Sequence, residues 1–166
     1  LIDAGDAFST FSPTEIHAGE DLSIDWRVAN QGSADAAGPF KVSFYASQDD
    51  LIVPGVDYYI GYASVSSIPA GGYADVSFLE ESWTGPDGHY YVGAVIDRDD
   101  DVAESDEGNN VGVDYDTYPL IVGDWPDLAP LGETSASYDP GTVWPNQPWQ
   151  VEWGVRNGGY AGAGAF

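Results

Sequence analysis

Leu22, Ile24, Trp26 and Val28 alternate with Ser23, Asp25, Arg27 and Ala29. A period of two puts the first set on one face of an extended strand and the second on the other, as in a strand half buried against a core. Phe40, Val42, Phe44 and Ala46 alternate with Lys41, Ser43, Tyr45 and Ser47 in the same way. The pattern predicts further strands over 58–64, 73–78, 90–97 and 111–122, and one ahead of them all around 4–11. Turn-forming stretches separate them: 31–38, the acidic loop 47–57, 68–72 and 85–89. Helical periodicity is nearly absent. Seven strands spaced like this predict an all-β fold, an antiparallel sandwich of two sheets.

The pattern then starts again at a constant shift of 127 residues. Phe11-Ser12-Pro13 falls on Tyr138-Asp139-Pro140, and Ile16 falls on Val143. Trp26, Val28, Asn30 and Gly32 fall on Trp153, Val155, Asn157 and Gly159, and after one deletion Ala37 to Phe40 answers Ala163 to Phe166. This register predicts a complete repeat over 1–123, a linker over 124–127, and the opening part of a second repeat over 128–166. Trp125 in the linker is expected to plug the gap between units, and Pro126 to restrict the hinge. The first residue is Leu rather than Met, which reads as a segment of a longer chain.

Composition narrows the function classes. The 166 residues contain no cysteine, which excludes a disulfide framework, zinc-thiolate sites and a catalytic thiol. Four basic residues (Arg27, Lys41, Arg98 and Arg156) stand against 28 acidic ones, for a net charge of -24. Such a surface repels nucleic-acid backbones and anionic lipid. No run approaches the roughly 20 apolar residues of a membrane span, and no signal peptide is visible. Of the acids, 20 are Asp, the shorter, turn-forming and calcium-coordinating carboxylate.

Three segments resemble a known family when taken in order. They are Asp25-Trp26-Arg27-Val28-Ala29-Asn30-Gln31-Gly32, then Val42 to Asp49, then Asp87 to Asp97 running into Val102 to Asn110. The chain is similar to the CARDB family, an extracellular bacterial and archaeal module named for a link to cell adhesion. The resemblance covers 1–123 as one unit and 128–166 as the opening of another. It implies an immunoglobulin-like or fibronectin-III-like sandwich, in tandem in secreted and surface proteins, and it does not imply an enzyme. Tyr90, just after an Asp-Gly turn, is placed for a tyrosine corner. Asn30 and Gly32 are expected to close their strand through positive φ, and Asn109 and Asn110 to satisfy loop backbone groups.

The densest chemistry is in the loop after residue 96, where Asp97, Asp99, Asp100, Asp101, Glu104, Asp106 and Glu107 lie within eleven residues. Oxygen ligands alone point to calcium, with Asp97, Asp99, Asp101, Glu104 and Glu107 as the expected metal ligands. The loop is no EF-hand, because Val102 stands at the glycine position and Gly108 at the bidentate Glu position. The bland alternative is a solvated hairpin whose Asp97 and Glu104 are tied to loop amides. Asp49, Asp50 and Asp57 form a second acidic loop. Tyr58, Tyr59, Tyr62, Trp144 and Trp149 are the candidates for stacking on a surface glycan, and Trp26 and Trp153 are expected in cores. Glu80 and Glu81 cannot pair as acid and base, since neighbouring strand residues face opposite ways.

The sequence therefore predicts a secreted, non-enzymatic adhesion or spacer repeat that packs against neighbouring repeats, stiffened by calcium. Its incomplete second unit suggests filament assembly by strand exchange. The alternative is a carbohydrate-binding module of a secreted enzyme.

Overall fold

The computed structural model describes residues 1–125, 128–130, 137–139, 150–152 and 154–159. In chain order it forms β1 (Ile2–Asp3), a 3-10 turn (Asp6–Phe8), β2 (Thr10–Ser12), β3 (Glu15–Ile16), β4 (Leu22–Ala29), β5 (Ala36–Ser47), β6 (Tyr58–Ile68) and β7 (Tyr73–Glu80). There follow β8 (Gly88–Ile96), β9 (Val111–Asp114), β10 (Leu120–Val122), β11 (Leu128–Pro130), β12 (Ser137–Asp139), β13 (Gln150–Glu152) and β14 (Val155–Asn157). The chain divides into two units, Leu1–Gly123 and Asp124–Phe166.

The first unit is the antiparallel sandwich. One sheet has four strands, with β1 and β2 on one edge of β4 and β7 on the other. The facing sheet has six, in the order β3-β10-β8-β5-β6, with β9 also on β8. The β4–β7 ladder runs unbroken from Leu22↔Glu80 to Ala29↔Tyr73. Leu22, Ile24, Trp26 and Val28 are buried between the sheets, as the period-two pattern predicts. Phe40, Val42, Phe44 and Ala46 of β5 meet them from the other sheet. Trp26 packs edge-on to Phe44 with ring centroids 6.1 Å apart, and Phe44 lies 5.7 Å from Phe78. Gly61 leaves room for that third ring, since a Cβ there would fall 2.1 Å from Phe78 Cζ.

Several boundaries differ from the sequence expectation for local reasons. The expected strand around 4–11 is broken by the 3-10 turn, which Arg27 clamps to the sheet. Its guanidinium lies 4.3 Å from the Phe8 ring and 4.2 Å from the Tyr73 ring, and it forms paired bonds of 2.5 and 2.9 Å to Asp75. Beyond Pro13 the chain crosses to the other sheet, where β3 runs parallel to β10. The expected single strand 111–122 splits because the Asp114 carboxylate turns the chain, accepting the Asp116 and Thr117 amides at 3.0 and 3.1 Å. Asn30 does not work through positive φ. Its Oδ1 accepts the Gly32 amide at 2.9 Å and its Nδ2 donates to the Ala34 and Ile68 carbonyls at 2.8 and 3.1 Å. Tyr90 makes the expected corner, donating to the Pro86 carbonyl at 3.0 Å.

The first unit's ends lie at opposite poles. Ile2 pairs with Ala29 at one end of β4, whereas Val122 pairs with Ile16 beside its other end and the Gly123 amide donates to the Ile16 carbonyl at 2.9 Å. An eight-residue strand separates the poles by about 25 Å.

In the second unit, β11 pairs with β14 as Ala129↔Arg156 and Pro130↔Val155. These are the β1–β4 pairs Ile2↔Ala29 and Asp3↔Val28 moved on by 127. The β12–β13 pairs Ser137↔Glu152, Tyr138↔Val151 and Asp139↔Gln150 are the β2–β4 pairs moved by the same amount. The Gly159 amide donates to Asn157 Oδ1 at 3.0 Å, as Gly32 does to Asn30. Pro126, Pro140, Val143, Trp153 and the 163–166 segment, all named in the repeat argument, lie outside the described residues.

Gly61→Ala should lower stability by about 1–3 kcal/mol, because a methyl group must displace Phe78 from a packed core. A thermal melt checks this. In a Phe78→Leu background the same substitution should cost measurably less, the double-mutant coupling expected of a direct contact.

Candidate functional site

The loop between β8 and β9 holds all five expected calcium ligands and sends them to different partners. Asp97 is 5% exposed and has a left-handed φ of 52°. Its Oδ1 accepts the Asp101 amide at 3.0 Å and its Oδ2 the Val102 amide at 2.8 Å, so the carboxylate templates the turn. Asp99 turns outward to Lys41 Nζ at 2.6 Å. The hydrogen bond and charge of that ammonium hold the Asp99 carboxyl below its ordinary range, and Asp99 in turn raises Lys41. Asp101 is exposed. Glu104 contacts the Leu1 amino group through Oε2 and accepts Asn110 Nδ2 at 3.0 Å through Oε1. Glu107 Oε1 accepts the Glu104 amide at 2.7 Å. With its amide oriented to suit its neighbours, Asn109 donates to the Leu1 and Asp106 carbonyls at 2.8 and 3.1 Å.

The five carboxylates are close in sequence; Asp97 and Glu107 lie near enough to act with Glu104 on the Leu1 amino group, whereas Asp99 is drawn to Lys41. Among the described residues no three His, Cys, Asp or Glu side chains form a group able to hold a metal ion. The physical reason is local. A short carboxylate beside unpaired backbone amides bonds to them, as Asp97 does to the Asp101 and Val102 amides.

The acidic loop between β5 and β6 is organised around the buried Ser47. Its Oγ lies 2.9 Å from Asp57 Oδ1, 3.0 Å from the Leu51 carbonyl and 3.3 Å from Asp49 Oδ1. Asp57 Oδ2 accepts the Val53 amide at 2.5 Å, and Asp49 Oδ1 the Leu51 amide at 3.0 Å. These bonds fold the loop back over the outer face of the six-stranded sheet. There Ile52 joins Tyr45, Val95 and Val113 in a second buried cluster. Gly93 makes space for it, because a Cβ there would sit 2.5 Å from Ile52 Cγ1. The sequence reading missed this cluster. Its signals were the apolar run from Leu51 to Val56 inside an acidic loop and a glycine in the middle of a strand.

The aromatic candidates divide. Tyr58 is committed to the core end, 4.9 Å from Trp83 and with its hydroxyl 3.0 Å from Thr84 Oγ1. Tyr59 and Tyr62 are half exposed on the outer face, the first 5.4 Å from Tyr45 and the second 5.2 Å from Lys41 Nζ. Tyr58, Tyr59 and Tyr90 line a cleft of about 730 Å³ beside Gln48, Asp49 and Asp57. Trp144 and Trp149 lie outside the described residues. Glu80 takes the inward face of its strand, where burial raises its carboxyl, and Asp25 on the neighbouring strand faces outward and accepts from Ser77 Oγ at 2.5 Å.

Asp97→Ala removes a buried acceptor of two amides and should cost about 1–3 kcal/mol, read as a lower melting temperature. The Asp99 carboxyl should titrate below an ordinary Asp in a carbon-13 NMR titration, and Lys41→Gln should return it upward. Because the folded value is depressed, the pair's contribution is present above the unfolded-state value and is lost as pH falls through the folded one.

Several solved structures are similar to the chain. A CARDB domain from Pyrococcus furiosus, determined in complex with di-metal ions, is 20% identical over 69% of this chain and 94% of its own, with a TM-score of 0.45. A protein from Geobacter metallireducens is 30% identical over 64% of this chain and 87% of its own, at 0.44. A domain from Methanosarcina acetivorans, provisionally designated part of a cell surface protein, is 17% identical over 68% and 86%, at 0.45. No curated protein matches the chain. Residues 8–113, the greater part of the sandwich and of the whole sequence, match the CARDB family model, and the chain belongs to that family.

Proposed function

We propose that the chain is part of a non-enzymatic extracellular array whose sandwich units act as spacers. The observation that supports this most is the polarity of the first unit. The chain enters beside Ala29 and leaves beside Ile16, so each unit adds its full length to the array. The strand register repeated at 127 residues in β11 to β14 supports a second unit of the same kind. Rigidity comes from the hydrogen-bonded loops at the two ends. Exchange of the 128–166 segment into a neighbouring chain's sheet is a variant of this reading, and concentration-dependent sedimentation would reveal it.

A carbohydrate-binding reading rests on the cleft beside Tyr58, Tyr59 and Tyr90, where aromatic rings and carboxylates adjoin. It is the weaker of the two, because Asp49 and Asp57 already accept loop amides.

Since the chain has no cysteine, Asp35→Cys with Asp87→Cys allows clean double spin-labelling at the two poles. The spacer reading expects one narrow distance distribution, and a broad or bimodal one would count against it. In thermal melts of the chain, millimolar calcium should raise the melting temperature no more than magnesium does. A calcium-specific rise of several degrees, abolished by Asp99→Asn with Asp101→Asn, would restore the ion site. Tyr59→Ala should leave polysaccharide retention in affinity electrophoresis unchanged, and a loss of retention would favour the glycan reading.

A further inference from the structure

The β5–β6 loop presents apolar side chains to solvent in a strongly acidic molecule. Leu51 is 65% exposed, Val53 45% and Val56 80%. Such a tip is not floppy packing. Ile52 anchors it from below and the Ser47, Asp49 and Asp57 bonds hold its backbone, so the exposed residues are fixed in place before any partner arrives. Leu51 and Val53 form one wall of a groove of about 550 Å³, and Val111 and Tyr115, both about half exposed, form the other. Asp3 and Asp50 also line it, and no lysine or arginine does.

We propose that this groove docks a positively charged protein segment through an apolar side chain, an interaction beyond the spacer role. The charge of the molecule selects this occupant. A second copy carries the same net charge of -24 and is repelled, as is an anionic membrane. A sugar needs hydrogen-bonding partners that Leu51, Val53 and Val111 do not offer. A segment with a leucine-like side chain flanked by lysine or arginine buries the apolar walls and places its cations against Asp3 and Asp50. Two of the first unit's own cations cannot substitute, because Lys41 is paired with Asp99 and Arg27 with Asp75.

The probe is a synthetic alternating lysine–leucine peptide, titrated against the whole chain by calorimetry and by methyl-resolved NMR at low and physiological salt. Saturable binding is expected, with methyl shifts at Leu51, Val53 and Val111, and with affinity falling as salt screens the carboxylates. A lysine–glycine peptide and a glutamate–leucine peptide should each bind at least about tenfold more weakly. Leu51→Ser with Val53→Ser should weaken the lysine–leucine peptide by a similar factor, and because both side chains are exposed the melting temperature should stay unchanged. Val56→Ser lies on the same loop outside the groove and should leave the affinity as it was. Equal affinity for the lysine–glycine peptide would reduce the interaction to bulk charge and overturn the proposal. So would unchanged affinity in the Leu51→Ser, Val53→Ser variant, or self-association or zwitterionic vesicle binding through the same loop without peptide binding. None of these outcomes bears on the pole-to-pole distance that tests the spacer reading.

Discussion

Closing two sheets without a covalent staple is the constraint on which the rest of this structure depends. With no cysteine, the sheets are held by what they bury between them, and the centre of that layer is Trp26 against Phe44 against Phe78. Three large rings in one layer demand space elsewhere, and Gly61 supplies it on β6 directly over Phe78. The strands that carry these rings, β4, β5 and β7, are among the five long ones, with β6 and β8. The short strands β1 to β3 and β9 lie at the edges, and the short β10 lies just inside β3, where less apolar area sets their course. Once β4 and β5 are fixed face to face, the loops at both poles are fixed too, since each hangs from a strand end.

How much of this could be read in the sequence follows the same division. The alternation around Trp26 and Phe44 was legible because burial on one face leaves a period of two in the residues themselves. The tyrosine corner was legible because an Asp-Gly turn followed by Tyr90 has one good use in a sandwich. The strand breaks were not, because they are decided by single side chains acting across a few residues. Asp114 turns the chain within what looks like one continuous strand, and Arg27 pins a 3-10 turn from a neighbouring strand. The acidic loop was read for its composition, and composition does not say which way a carboxylate points. Of the seven acids within eleven residues, Asp97, Asp106 and Glu107 accept loop amides, Asp99 meets Lys41 and Glu104 meets Asn110, which composition alone does not foretell.

That outcome explains why Asp outnumbers Glu in this chain. Asp49, Asp57, Asp97, Asp106 and Asp114 each accept at least one backbone amide within five residues. The shorter side chain reaches those amides without strain, which the longer one does less often. Part of the negative charge is therefore structural as well as electrostatic. It does the turn-holding that disulfides do in other small sandwiches, and it leaves the surface hydrated as a consequence.

The same charge makes the exposed apolar loop tolerable. A rigid tip bearing Leu51, Val53 and Val56 would be an aggregation hazard on a neutral sandwich, as would the free outer edges of β6 and β7. Every copy of the chain carries the same excess of carboxylates, so encounters between copies are opposed before apolar surfaces can touch. A molecule built like this can keep a preformed apolar contact open to solvent and discriminate by charge among those that approach it. The acidic surface and the apolar loop are then two halves of one arrangement: the first keeps copies apart, and the second remains available to a partner of opposite sign.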